Sequence, residues 1–423
     1  MLTVAENERV TRIGPGTPGG NLLRRFWMPA CLSSDLPDRD GTPLRLRLLG
    51  EDLIAYRDSD GHIGLVDAYC PHRRAPLFFA RKEECGLRCV YHGWKFDRSG
   101  TCVDMPSEPA GTTLLAKVKI NAYPCFEQGG VVWTYMGPKD KEPPHSDYEW
   151  MRAPDSQRHV SKTFEACNYL QGLEGGLDTA HSSFAHNNNL RSTNELRLRD
   201  KAPRIEVERT DYGYTYTSHR SLGPDGTYVR AYHYFLPTGQ QRGQVRTWDG
   251  KLTPVPRNFG HIWMPIDDEN TWVYNIHYNC DPSAQLTPKL IDEHEAEFGR
   301  APTDFIPGTF RLKRNRANDY MIDRAIQKTK TFTGVAGVNT QDFALQENMG
   351  TICDRSKEFL GTSDKAIVAM RRLLLEAIAV VEAGGDPRGL DPASYRALRA
   401  WDNIVPEGAD WHRVLAPDLA ARW

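Results

Sequence analysis

The chain has 423 residues, 39% of them apolar and 26% charged, the composition of an ordinary globular protein with room for more than one core. Its 53 basic and 55 acidic residues leave a formal net charge of -2, which argues against a nucleic-acid-binding surface as its main role. No apolar run approaches the roughly 18–20 residues that span a bilayer, the start lacks a basic-then-apolar leader, and nine cysteines make a poor disulfide framework, so a reducing, cytoplasmic setting is expected.

Near the start, Gly14-Pro-Gly-Thr-Pro-Gly19 is broken by proline and precedes no clear helix, so it is expected to be a loop rather than a nucleotide-binding fingerprint. From about 25 to 137 the chain reads as short strands. Residues 43–49 alternate apolar and polar, 54–56, 63–66 and 131–136 behave alike, and Asp58–Gly61 and Asp97–Gly100 punctuate them. Residues 137–145, polar and Pro-rich, are expected to be a linker or a long crossing segment. The predicted division is therefore a small all-β domain over 1–145 and a mixed domain over 146–423. In the second, a helix is predicted over roughly 165–186, strands from Tyr212 and Thr271, and a polar helix from Lys289 to Phe298. An amphipathic helix follows over 364–383, with Ile367, Met370, Leu374, Ile378 and Val381 on one face, Ser363 as N-cap and Gly384-Gly385 as stop. The expected class is α+β, with an antiparallel sheet and helices on one side.

Two Cys–His pairs carry the first chemistry. Cys70-Pro-His72 and Cys89-Val-Tyr-His92 are separated by sixteen residues. Zinc would take all four side chains in a closed tetrahedron. A Rieske-type [2Fe–2S] cluster takes two cysteines on one iron and two histidines on the other. Each loop here carries one of each type, the order needed when two loops clamp a two-iron rhomb from both sides. Neutral imidazole in place of thiolate raises the cluster potential, so the cluster is expected to pass single electrons to a second redox site.

The stretch 168–186 offers that site. It contains Asn168, Gln171, Glu174, Asp178, His181 and His186. Two histidines and one carboxylate form the facial triad that binds ferrous iron and leaves positions open for dioxygen. Asp178 and His181, three apart, are expected to share a helix face. His181 and His186 stand five apart, about 140° around a regular helix, so the helix is predicted to end or bulge between them. The third ligand is expected downstream: Asp342, placed ahead of a polar helical stretch, with Glu347 as the rival.

Together these motifs resemble the Rieske non-haem iron oxygenases, catalytic component, over nearly the whole chain. The flanks Tyr69-Cys-Pro-His-Arg-Arg-Ala75, Arg88-Cys-Val-Tyr-His-Gly-Trp-Lys-Phe96 and Leu173-Glu-Gly-Gly-Leu-Asp-Thr-Ala-His181 look most like the phthalate dioxygenase branch, which includes aromatic O-demethylases. The resemblance implies a helix-grip (START-like) catalytic domain and a homotrimer in which one subunit's cluster faces its neighbour's iron. It implies His181, His186 and Asp342 as iron ligands and Asp178 as the aspartate linking cluster and iron. Asn168, Gln171 and Glu174 match positions near the iron. An aromatic carboxylate substrate is implied, to be hydroxylated or O-demethylated with dioxygen, with cis-dihydroxylation of the phthalate type as the alternative.

Without a nucleotide fingerprint, the chain is expected to take electrons from a separate flavin- or ferredoxin-type reductase using NAD(P)H. Arg73, Arg74 and Lys95 are candidates for its docking surface. Arg204, Arg209 and Arg246 are candidate carboxylate anchors, since guanidinium binds carboxylate bidentately, and Trp248, Trp263 and Phe332 are candidate pocket aromatics. His219, His233, His261 and His277 are expected as strand residues with satisfied hydrogen bonds. Cys31, Cys85, Cys102, Cys125, Cys167, Cys280 and Cys353 are expected as buried thiols. The competing readings are an electron carrier without catalysis, for which the chain is too long, and a zinc-stapled binding protein.

Overall fold

The computed structural model describes residues 1–243 and 256–423; Arg246 and Trp248 lie outside them. Helix α1 (Val4–Thr11) opens on a reciprocal cap, the Thr3 hydroxyl accepting from the Glu6 amide and the Glu6 carboxylate from the Thr3 amide. The segment Gly14–Gly19 is not a loop throughout. It runs into α2 (Pro18–Leu23), with Thr17 as N-cap and Pro18 in the first turn. A Cβ on Gly20 would stand 2.3 Å from the carbonyl oxygens of Ile13 and Gly14, so glycine is required for this close turn.

Three antiparallel sheets follow. Their strands are β1 (Trp27–Leu32), β2 (Leu44–Leu48), β3 (Glu51–Arg57), β4 (Ile63–Asp67), β5 (Arg81–Glu83), β6 (Gly86–Arg88), β7 (Lys95–Asp97), β8 (Cys102–Asp104), β9 (Ala122–Tyr123), β10 (Cys125–Gln128) and β11 (Val131–Tyr135). The orders are β1-β11-β10, β2-β3-β4-β9 and β5-β6-β7-β8. In β2 the alternation holds: Leu46 and Leu48 are buried, Arg45 and Arg47 exposed. Ile54, Val66, Leu77, Leu87, Phe96 and Ile120 form a separate small core, and Cys70 and Cys89 belong to it.

The second half holds α3 (Glu149–Arg152), β12 (Arg158–Glu165), α4 (Tyr169–Leu177), β13 (Arg204–Arg209), β14 (Gly213–Ser221), β15 (Thr227–Phe235), β16 (Gly239–Gly243), β17 (Arg257–Pro265), β18 (Thr271–Asn279), α5 (Pro288–Phe298), α6 (Arg324–Thr329), α7 (Val338–Gln346), α8 (Lys365–Glu382), β19 (Trp401–Val405) and α9 (Trp411–Leu419). The strands form one antiparallel sheet, order β12-β18-β17-β16-β15-β14-β13, with β19 paired to β15. Helix α8 packs on β13 and β14, α4 on β16 and β17, and α7 against α4. The close seat of α4 depends on its glycines: a Cβ on Gly176 would stand 2.2 Å from the Trp263 ring. Trp263 is thus a core residue beneath α4.

Three helix details differ from expectation. The stretch 165–186 is not one helix: β12 runs through Glu165, α4 covers only nine residues, and a single 3₁₀ turn takes His181–Ser183. Asp364, at the end of a 3₁₀ turn, stands at the N-cap of α8 in place of Ser363. Its buried face is as predicted at Ile367, Met370, Leu374 and Ile378. Of the cysteines expected to be buried, Cys85, Cys125 and Cys353 are only half-buried. Among the described residues, no helix is long and apolar enough to cross a membrane.

Candidate metal centres

The two Cys–His loops are built to one plan. The Cys70 amide donates to the Ala75 carbonyl and the Arg74 amide to the Cys70 carbonyl, both 2.9 Å. The Cys89 amide donates to the Trp94 carbonyl at 2.8 Å and the Gly93 amide to the Cys89 carbonyl at 2.9 Å. The fifth residue of each loop is left-handed: Arg74 at φ 60° and Gly93 at φ 78°. Two sequence-distant loops therefore present equivalent donors. Cys70 and Cys89 are 2% and 3% exposed. Burial pushes the Cys70 thiol up to about 11, and the nearby Cys89 thiol adds to the shift. His72 and His92 lie nearer the surface with ring centroids 4.4 Å apart, and His72 stacks on Trp94 at 4.5 Å. Nδ1 of His72 is buried with no hydrogen-bond partner among the described residues, an open valence that suits a metal ligand. Two buried thiols on one side and two converging imidazoles on the other are the donor set of a Rieske cluster.

Arg73 and Arg74 are exposed beside these loops, resting on Tyr91 and Tyr69. Lys95 is not available for docking: it is buried and its ammonium pairs with Glu84 at 3.1 Å.

The second cluster forms where α4 ends. Asp178 is the C-cap, in extended conformation, and its Oδ1 accepts from the Ala180 amide at 2.7 Å. Asp178 and His181 thus do not share a helix face; they meet across a turn. The turn brings His181 and His186 together, Nε2 to Nε2 at 3.1 Å. Asp342 sits within α7, not ahead of it, and its Oδ1 lies 3.2 Å from His186 Nε2 and 3.5 Å from His181 Nε2. One donor atom from each of these three residues lies within 4.8 Å of the others. Burial disfavours a charge on His181, yet Asp178 and Asp342 outweigh it and lift its pKa to about 10. Burial would raise Asp342, but His186 and His181 hold it well below the usual carboxylate range. Two imidazoles and one carboxylate thus face one another at one point, which fits a metal cation.

Behind the donors, His181 Nδ1 stands 3.4 Å from Asp178 Oδ2, and His186 Nδ1 lies 2.9 Å from Oε1 of Gln341. The Arg197 guanidinium donates to the His186 carbonyl at 3.2 Å.

Several expected members are elsewhere. Asn168 is the N-cap of α4, and its amide donates to the carbonyls of Thr11 and Asp268. Gln171 donates to the carbonyls of Gln346 and Gly350 and accepts from the Cys353 amide. Both side chains are consumed by backbone, so they fix α4 rather than face the histidines. Glu174 is held between Arg355 and Arg371. Glu347 accepts from the Ala166 amide and from the Tyr320 hydroxyl, away from the donors.

A cavity of about 240 Å³ has Asp178, His181 and His186 in one wall and Arg230, Arg242 and Arg257 with Tyr232, Phe259 and His294 in the other. Arg204 and Arg209 are not part of it; they are exposed on an outer strand and pair with Glu206 and Glu376. Glu195 and Glu297 also line the cavity, Glu195 paired with Arg197, but among the described residues no carboxylate lies within ion-pair distance of Arg230, Arg242 or Arg257. Burial and the neighbouring Arg230 push Arg242 down to about 10. One signal was present in the sequence: Arg230 interrupts the aromatic strand Thr227–Phe235, which is buried at eight of its nine positions. Phe332 is half exposed and packs on Phe184 in a different, open groove of 780 Å³ on the other side of His181. His219 bonds Thr217, and His233 bonds Tyr212 and the Arg399 carbonyl. Nδ1 of His261 and of His277 has no hydrogen-bond partner among the described residues, against expectation.

Comparison with known proteins agrees with this layout. Residues 26–124 match the Rieske [2Fe-2S] domain model and residues 134–421 the model described as LigXa C-terminal domain like. The chain is 38% identical to the phthalate 4,5-dioxygenase oxygenase subunit of Pseudomonas putida, over 97% of this chain and 94% of that protein. It is 32% identical to the 5,5'-dehydrodivanillate O-demethylase oxygenase subunit of a Sphingobium species, over 94% and 86%. The crystal structure of dicamba monooxygenase bound to dicamba shares the fold, with a TM-score of 0.60 at 17% identity over 85% of this chain and 99% of that one. A family model covering more than half of the sequence, and a relative matched along nearly all of it, settle the matter: this chain belongs to the Rieske non-haem iron oxygenases, as an oxygenase component with a [2Fe–2S] cluster and a mononuclear iron.

Proposed function

We propose that this oxygenase component hydroxylates or O-demethylates a single-ring aromatic carboxylate, with Cys70, His72, Cys89 and His92 holding the cluster and His181, His186 and Asp342 holding the iron. The observation that carries this is the shared cavity: the histidine–aspartate donors form one wall and three arginines without carboxylate partners among the described residues form the other. Arg230 is buried and Arg242 and Arg257 are half-buried, and a guanidinium taken from water without an anion is costly. A cavity near 240 Å³ lies below the ~300–1,000 Å³ of sites for drug-sized molecules, which suits one ring.

When bound, the iron supplies a site for dioxygen and one electron, and the cluster supplies a second. The protein's own residues do the rest. Arg230 and Arg242 bind the carboxylate and turn the ring toward His181 and His186. Tyr232 and Phe259 pack the ring faces and keep out water. Asp178 holds the outer nitrogen of His181 and links the two centres. Gly176 and Trp263 seat α4 so that Asp178 leaves the helix at the right place.

The relatives support the wider setting. The phthalate and dehydrodivanillate relatives are both oxygenase subunits, so electrons come from a separate reductase that uses NAD(P)H, docking near Arg73 and Arg74. The division near residue 145, a cytoplasmic location and a homotrimer belong to the same proposal; the open groove beside His181, with exposed Phe184, Phe332 and Leu345, supports a subunit contact there. O-demethylation is favoured by the dehydrodivanillate relative and ring dihydroxylation by the phthalate relative. A panel of methoxylated and unsubstituted benzoates, supplied with reductase and NADH, separates them: formaldehyde release marks demethylation, a cis-diol marks dihydroxylation. Turnover of neutral analogues as fast as of the acids would contradict the carboxylate site.

A further inference from the structure

Gln341 makes three hydrogen bonds around the cluster of donors, and together they select the tautomer of His186. Its amide nitrogen donates to the Val335 carbonyl at 2.9 Å and to Oδ1 of Asn188 at 2.7 Å. A backbone carbonyl can only accept, so the amide cannot be flipped. The amide oxygen therefore faces Nδ1 of His186, 2.9 Å away, and Nδ1 must carry the proton. Nε2 is left with its lone pair directed at the point shared with His181 and Asp342.

We infer that Gln341 is a positioning residue for the iron: it fixes the tautomer and ring orientation of His186, and so the retention of the metal. This rests on the assignment of His186 as a ligand. The arrangement is economical in chain terms. Gln341 and Asp342 are consecutive on α7, so one helix turn supplies a ligand and the support of a second ligand. The two histidines are also supported unequally. His181 faces a carboxylate, Asp178, at 3.4 Å, which is an electrostatic contact rather than a formed hydrogen bond, while His186 has a neutral amide in good hydrogen-bond geometry. His186 is the ligand oriented by a formed hydrogen bond, and its side chain is also the more deeply buried.

The test uses the full-length protein carrying both centres, in the wild type, Gln341→Leu, Gln341→Glu and Asn188→Ala. Each is challenged with a ferrous chelator, with the EPR signal of the reduced cluster as an internal standard for folding. Gln341→Leu should weaken iron retention by about 10- to 100-fold, the usual effect of losing a partner behind a metal-bound histidine, with the cluster signal unchanged. Gln341→Glu keeps the acceptor for His186 and loses both amide donations, so it should recover most of the retention. Asn188→Ala removes one amide partner only and should retain iron like the wild type. The near-infrared magnetic circular dichroism of the ferrous site should shift in Gln341→Leu and not in Asn188→Ala. Equal loss in Gln341→Leu and Gln341→Glu, or full retention in Gln341→Leu, would overturn the inference. A wild-type protein that holds no iron beyond its cluster would instead overturn the ligand assignment beneath it.

Discussion

Asp178 Oδ2 lies 3.4 Å from Nδ1 of His181, the ring nitrogen on the far side from His186 and Asp342. The carboxylate sits at the end of α4, where its Oδ1 accepts from the Ala180 amide at 2.7 Å and the His181 amide at 3.4 Å while its Oδ2 faces the His181 imidazole, and it supplies none of the three metal donors. Asp178→Asn should therefore leave both metals bound while turnover falls at least 10- to 100-fold. Metal analysis with coupled oxygen uptake checks this, and unchanged steady-state turnover would sink the role given to Asp178.

Arg242→Met should raise KM for the aromatic acid by about tenfold to a hundredfold, the worth of one charge-assisted hydrogen bond. Arg204→Met, on the exposed strand and paired with Glu206, should leave KM alone. The steady-state comparison of the two variants checks it. Equal effects, or none at Arg242, would move the carboxylate anchor elsewhere.

Glu174→Gln separates a stability role from a catalytic one. The carboxylate binds Arg355 at 2.9 Å and Arg371 at 2.6 Å, and Arg355 is fully buried. Removing one partner of a buried pair costs about 3–5 kcal/mol. Thermal unfolding should shift down by several degrees, with iron content kept below the transition. An unchanged melting temperature with lost turnover would return Glu174 to the iron site.

Acid should destabilise the fold through its buried histidines. Burial pushes His233 down to about 4, and its two nitrogens are already used by Tyr212 and the Arg399 carbonyl. Burial, then Arg257, push His277 to about 2. Unfolded, both have a pKa near 6.5. Below that value the unfolded chain takes up protons that the folded chain refuses, so stability falls with pH from about 6.5 toward 4, by about 1.4 kcal/mol per pH unit per histidine. Urea titrations at pH 7 and pH 5 measure this, and His233→Gln should flatten the slope. Equal stability at both pH values would contradict it.

What was legible in the sequence was local. Cys70, His72, Cys89 and His92 sit on two tight loops, so their spacing carries their geometry. The five-residue step from His181 to His186 already demanded a broken helix, and α4 does end at Leu177. What was not legible depends on register and packing. Arg230 and Arg242 reach the cavity because β15 and β16 pair Tyr232 with Arg242, a relationship no single-strand pattern reveals. Arg204 and Arg209 have the same residue type on a strand that lies at the sheet edge. Asn168 and Gln171 matched expected positions, yet their amides are spent on backbone carbonyls that only the tertiary fold brings near. Gln341 gives no sequence signal beyond being next to Asp342.

The most direct test of the account is metal and sulfide analysis of the wild type against His186→Ala. A Rieske cluster carries two irons, so with the mononuclear site the wild type should hold about three irons per chain. His186→Ala should lose about one of them, keep its sulfide and the EPR spectrum of the reduced cluster, and form no product. Iron content and product formation equal to the wild type in His186→Ala would contradict the assignment of His181, His186 and Asp342 as the oxygen-activating centre.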